Sequence, residues 1–120
     1  ARRGAAGSTA AGLVTKHAEC GDKVLKASGA SGGRLWKLPM DDPNLREKIK
    51  SPFADLVNSG GRYGGAITAA MFLEAFVDKE IPWVHLDIAS ADFASAPYAY
   101  YVKGATGFGM RTLAELVREL

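Results

Sequence analysis

Between Ala66 and Val77 only Thr68 and Glu74 are polar. So nearly uniform an apolar stretch predicts a helix enclosed on most sides rather than one lying on a surface. "IPWVHLDIAS" (Ile81–Ser90) follows at once. Its Trp83, Val84, Leu86 and Ile88 predict a strand buried on both faces, as in a parallel α/β sheet. At the end of the chain Met110, Leu113, Leu116, Val117 and Leu120 recur at helical spacing, while Arg111, Glu115, Arg118 and Glu119 fall elsewhere. That period predicts an amphipathic helix. Upstream, the short apolar run Ala11–Thr15 predicts a strand, and Glu19–Ala27 a helix. "SGASGG" (Ser28–Gly33) has loop composition. "RLWKLP" alternates apolar and basic residues and predicts a strand ended by Pro39. Asp42 before Pro43 supplies an N-cap and a first helical position, so a helix is expected over Pro43–Lys50, with Pro52 preventing its extension. "FADLVN" (Phe53–Asn58) reads as a short strand or turn, and Asp92–Tyr101 as a loop rich in tyrosine.

These elements form the tail of an α/β domain. A helix apolar all round and a strand covered twice require more partner surface than 120 residues easily provide. The expected cover is additional chain or other subunits.

Composition narrows the function classes. With 48% hydrophobic and 23% charged residues the chain is ordinary globular material. A net charge of +2 shows no basic concentration of the kind nucleic-acid binders carry. No apolar run reaches the roughly 18 residues of a membrane span. Cys20 is the single cysteine, which excludes an internal disulfide and a cysteine metal cluster, and suits a reducing compartment. The opening "ARRGAA" is compatible with a targeting remnant or a frayed terminus.

The segment "NSGGRYGGAITAAMFLEAFV" (58–77) sets four glycines around Arg62 and Tyr63, directly against the apolar helix. One reading is an anion cradle at a helix N-terminus. "GGRYGG" lacks the lysine and hydroxyl residue of a phosphate loop and the spacing of a dinucleotide fingerprint, as does "GATGFG". The other reading, close backbone approach that lets the helix start inside the body, is preferred. Arg62 reads as a solvated or carbonyl-capping residue before it reads as a carboxylate ligand. Trp36 and Trp83 read as core or interface aromatics. His85 and Asp87, two apart on a predicted strand, share one face and could approach a metal. The alternative is a histidine and aspartate hydrogen-bonded within a buried strand.

The ordered blocks "RLWKLP", "KSPFADLVNSGGRYGGAITAAMFLEAFV", "WVHLDIAS" and "KGATGFGMRTLAELV" resemble the C-terminal part of the leucyl aminopeptidase (cytosol aminopeptidase) family. The resemblance is close over 34–120 and weaker over 1–33, which reads as a strand, helix and Gly/Ser loop. It implies an α/β fold, the C-terminal portion of a mixed-sheet, three-layer α/β/α catalytic domain. It further implies a metalloprotease that removes N-terminal residues from peptides with two divalent ions, zinc with manganese or magnesium exchange, activating water. A homohexamer built as a dimer of trimers is implied, in the cytoplasm, with an organelle left open. Nucleic acid and membrane are not implied as partners.

The family's ligands lie in a lysine–aspartate segment, a further aspartate and an Asn-Thr-Asp-Ala-Glu-Gly-Arg run, none of which occurs here. "ARRGAA" stands where a Thr-Leu-Thr-Gly segment is usual. The resemblance therefore implies no catalytic residue and no metal ligand in this stretch, which is expected to be inactive alone. It implies that Ala89 and Asp92 line the pocket for the substrate's first side chain, with Ser90 where glycine is usual. An acid there would disfavour leucine and favour arginine or lysine. The alternative to an enzyme is a catalytically silent, aminopeptidase-like assembly subunit.

Overall fold

The computed structural model describes residues 9–120. The "ARRGAA" segment lies outside the described residues. Strand β1 (Ala11–Val14) is wholly buried and forms the centre of a three-stranded sheet in the order β2-β1-β3. It pairs in parallel with β2 (Leu35–Leu38), joined through helix α1 (Ala18–Ser31), and antiparallel with β3 (His85–Asp87). The sheet is thus mixed. Successive side chains of β1 point to opposite faces. Leu13 faces α1, and Gly21 lets that helix come close, since an added Cβ would lie 2.8 Å from Thr15 Cγ2, just past the end of β1. Val14 faces the other way, into a cluster with Met40, Ile49, Ala70 and Met71. That second layer is carried by α2 (Pro43–Glu47) and α3 (Gly65–Glu74). Helix α4 (Met110–Glu119) lies beside α1, tied by Lys26–Glu119 at 3.2 Å and by the Ser31 and Thr112 hydroxyls at 3.0 Å. A two-stranded ribbon, β4 (Phe93–Ala94) with β5 (Gly104–Ala105), precedes it.

Several boundaries move. "SGASGG" is not a loop. Helix α1 runs through it to Ser31 and closes at Gly32 (φ 76°). The serines there bond locally, Ser31 Oγ to the Ser28 carbonyl at 3.2 Å and Ser28 Oγ to the Gly33 carbonyl at 3.0 Å, so they satisfy the helix end instead of breaking it. Helix α2 keeps the expected cap, with Asp42 Oδ1 accepting from the Asn44 N–H at 2.8 Å. It ends at Glu47, and Lys48, Ile49 and Lys50 continue in tighter turns bonded three residues back. Phe53–Asn58 forms bends, fixed where Val57 N–H donates to the Ile49 carbonyl at 2.7 Å.

Helix α3 spans Gly65–Glu74 rather than reaching Val77. It is covered on one side only: Thr68, Ala70 and Met71 are buried, whereas Leu73 is 46% exposed, as is Phe76, just past its end, at 67%. The expected two-sided, parallel strand over Ile81–Ser90 is instead three residues long, half-buried and antiparallel to β1. Apolar flanks predict parallel packing, but strand direction is set by the route the chain takes from α3 back to the sheet, which local sequence does not encode. In α4 the periodic residues do share a face, yet that face points away from the chain. Met110, Leu113, Val117 and Leu120 are 69%, 50%, 68% and 86% exposed, and it is Thr112 that is buried against α1.

Two of the four glycines in the segment meet a close neighbour, as the packing reading expects. Gly64, the N-cap of α3, holds φ 68°, and a Cβ there would lie 2.7 Å from Leu45 of α2. Gly60 would place a Cβ 2.7 Å from Thr68 on the first turn of α3. Both positions require bare backbone for helix and loop to touch.

Candidate functional site

The chain leaving β3 is held at almost every residue. Asp87 Oδ1 accepts from the Ala89 N–H at 3.2 Å, and the Ile88 carbonyl accepts from Ala91 N–H at 2.8 Å. Ser90 Oγ donates to the Ala10 carbonyl at 2.7 Å, which fastens this loop to the start of the central strand. Thr106 acts as a two-pronged clamp: its hydroxyl donates to the Ala91 carbonyl at 2.5 Å and its N–H to the Asp92 carbonyl at 2.9 Å. The result is a firm wall with Ala89 half-buried and the Asp92 side chain exposed. No cation among the described residues lies within 4.0 Å of the Asp92 carboxylate. Both expected pocket residues therefore sit on one short, pinned loop.

His85 and Asp87 are on the same strand but do not form a ligand pair. The His85 ring stacks on Trp83 at 6.1 Å between centroids. Burial pushes its pKa below the usual histidine value, an effect that Asp87 partly offsets. Asp87 is engaged by its own backbone turn. Among the described residues no group of three or more His, Cys, Asp or Glu side chains could hold a metal ion. The donor set does not fit the two-ion centre that the sequence resemblance implies, and no chemical step can be built on it from these residues.

Two clusters have no signal in the sequence. In the first, the Glu74 carboxylate accepts from Lys16 Nζ and Arg46 Nη2, each at 3.0 Å, joining α3 to the β1–α1 turn and to α2. Burial works to raise its pKa, but the two hydrogen bonds and charges outweigh that and hold it below the ordinary value. His17 lines the cavity beside this cluster, which has a volume of about 510 Å³. In the second, Arg111 of α4 lies over the Tyr100 ring, 4.9 Å from its centroid, and donates to the Tyr100 hydroxyl. The Tyr100 and Tyr101 hydroxyls are 3.5 Å apart. The Tyr101 hydrogen bond and then the arginine hold the Tyr100 phenol below the usual tyrosine range. These residues are far apart in the α3 and α4 patterns or lie in an aperiodic loop, so spacing alone gives no hint of either cluster. Arg62 and Tyr63 are exposed beside a cavity of about 660 Å³ formed by the glycine loop.

The description of the cytosol aminopeptidase family, catalytic domain, matches residues 1–114. This chain belongs to that family. The probable cytosol aminopeptidase of Aquifex aeolicus (strain VF5) is 52% identical over 116 residues, 97% of this chain and 24% of that protein. The chloroplastic neutral leucine aminopeptidase of Solanum lycopersicum is 44% identical over 113 residues, 94% of this chain and 19% of that protein. Among solved structures, the bottromycin maturation enzyme BotP superposes with a TM-score of 0.91 at 38% identity, over 98% of this chain and 26% of its own. BotP has also been solved with Mn. A tomato leucine aminopeptidase variant superposes at 0.87 and 39% identity, over 98% of this chain and 22% of its own. The α/β fold of the chain is thus that of part of an aminopeptidase catalytic domain. The chain spans about a quarter of the length of the family members it matches. No helix among the described residues is long and apolar enough to cross a membrane.

Proposed function

We propose that this chain is the C-terminal part of a two-metal, leucyl-type aminopeptidase that hydrolyses N-terminal residues from peptides. The observation that carries the reading is the family match along nearly the whole chain, together with a backbone that superposes on leucine aminopeptidase structures. The ions, zinc with manganese or magnesium exchange, are held by residues outside this stretch, and a relative solved with Mn supports metal dependence. Residues 34–120 carry the wall and the C-terminal helix, and 1–33 the central strand and the helix that covers it. The complete enzyme works as a homohexamer, a dimer of trimers, in the cytoplasm, on peptides rather than nucleic acid or membranes.

Within that enzyme the loop fixed by Ser90 and Thr106 forms one wall of the pocket for the substrate's first side chain. Ala89 supplies a small apolar surface and Asp92 an unpaired carboxylate. Asp92 is exposed in this chain; once a bound substrate side chain encloses it, an unpaired acid is costly to leave beside leucine and is relieved by arginine or lysine. The test is a comparison of leucyl and arginyl amides on the intact protein. Asp92→Leu shifts kcat/KM toward the leucyl substrate, and an unchanged ratio removes Asp92 from the pocket. Metal analysis and leucyl-amide hydrolysis on the same protein test the activity itself. Bound metal with turnover supports the enzyme, and a folded hexamer with neither supports the silent assembly subunit.

A further inference from the structure

A cavity of about 330 Å³ lies between the end of α1, the tyrosine loop and the start of α4. Ser31, Thr106 and Phe108 line it together with Tyr100, Tyr101 and Arg111. Its one charged lining group is Arg111, and no carboxylate among the described residues lies within 4.0 Å of that guanidinium. It donates to the Tyr100 hydroxyl, with Tyr101 beside it, and these phenols leave several of its five N–H donors available. The guanidinium lies over the exposed Tyr100 ring, 4.9 Å from its centroid, a cation–π contact that keeps it beside the phenol hydroxyls. A planar cation, held in place, with free paired donors and phenol hydroxyls beside it, is the arrangement that receives a planar carboxylate. The cavity is also continuous with the wall described above. Thr106, which lines it, is the residue that clamps the Ala91 and Asp92 carbonyls.

We propose that this cavity is a subsite for the free C-terminal carboxylate of a short peptide, bound by Arg111 and positioned by Tyr100. The proposal rests on the aminopeptidase reading for its substrate and names the class preferred: short peptides with an unblocked C-terminus. Phe108 and the tyrosine rings offer apolar surface to the residue that bears the carboxylate.

The experiment uses the complete, metal-loaded protein and three substrates: leucyl-glycine, leucyl-glycinamide and leucyl-aspartamide. The expected result is a lower KM for leucyl-glycine than for either amide. Arg111→Gln should shrink that KM advantage about tenfold, the low end for a charge-assisted hydrogen bond at an exposed site. Arg111→Lys, which keeps the charge without the planar fork, should restore part of it and also controls for folding. If leucyl-glycine has no advantage, or Arg111→Gln leaves the ratio unchanged in an enzyme that still cleaves leucyl amides, the subsite is overturned and the aminopeptidase reading stands. A preference for leucyl-aspartamide over leucyl-glycine overturns the assignment to the C-terminus and points to an acidic side chain. If the protein cleaves none of the three, the aminopeptidase reading falls. Calorimetry with N-acetylglycine and N-acetylglycinamide then decides the cavity separately. Acid-selective binding that Arg111→Gln abolishes sustains the carboxylate site, and no selective binding overturns it.

Discussion

Gly64 concentrates two demands on one residue, a left-handed φ of 68° and a Cβ position 2.7 Å from Leu45. Gly64→Ala should lower stability by about 1–3 kcal/mol, combining the left-handed penalty with overpacking. The check is the denaturation midpoint of the complete protein. The sequence raised the alternatives at this glycine run but could not decide between them, because Leu45 is distant along the chain. Glu74 shows the opposite case, a residue whose letter in an apolar helix looked incidental. Its carboxyl is held below its ordinary 4.5, so the stability it contributes is fully present above that pH and is lost as pH falls through the lower folded value. His85, depressed below its ordinary 6.5 by burial, is neutral in both states above 6.5 and opposes folding as pH falls below that. Acid unfolding should therefore begin weakening the fold below about pH 6.5 and steepen below about 4.5. Glu74→Gln should flatten the second part, by about 1 kcal/mol or less given exposed partners, as read from melting temperature against pH.

At the scale of elements, β1 and α4 behave differently although both were legible as apolar patterns. Strand β1 buries Leu13 and Val14 on opposite faces and so joins the two helical layers. Met71 of α3 closes the Val14 side and is fully buried. Met71→Ala should cost about 2–5 kcal/mol, the range for emptying a packed core position, measured by chemical denaturation of the complete protein. In α4 the helix and its apolar face were readable from spacing, but the direction of that face was not. Contact with α1 goes through small and polar groups, Thr112 with Ser31 and Glu119 with Lys26. A hydrophobic period reports that a face will be covered, not by what. Strand β3 was misread for a related reason: apolar flanks announce burial, while parallel or antiparallel pairing depends on the neighbour.

On the scale of the molecule, exposed apolar side chains gather on the outer faces of α3 and α4 and in the turn after α3, with Leu73, Phe76, Leu113 and Val117 among them. Patches of this kind mark surfaces that another body covers. A fragment of residues 9–120 alone should associate and melt at a temperature that rises with concentration. Leu113→Lys with Val117→Lys should make that fragment more monomeric in analytical ultracentrifugation, because both side chains are exposed in it. In the complete protein the same pair should weaken assembly or domain closure. A fragment that stays monomeric and melts cooperatively without these changes would remove the idea of a covered face.

Alone, the sequence determined the order of the four helices and of the three strands of the main sheet, the Asp42 cap and the family. All of these follow from neighbours in the chain or from ordered motifs. The tertiary structure decided which way β3 runs, which face of α4 is left open, how Glu74 locks three elements, and that Arg111 meets Tyr100 beside a cavity. Each of those depends on residues brought together across many positions, and contact across such distances leaves no period in the sequence.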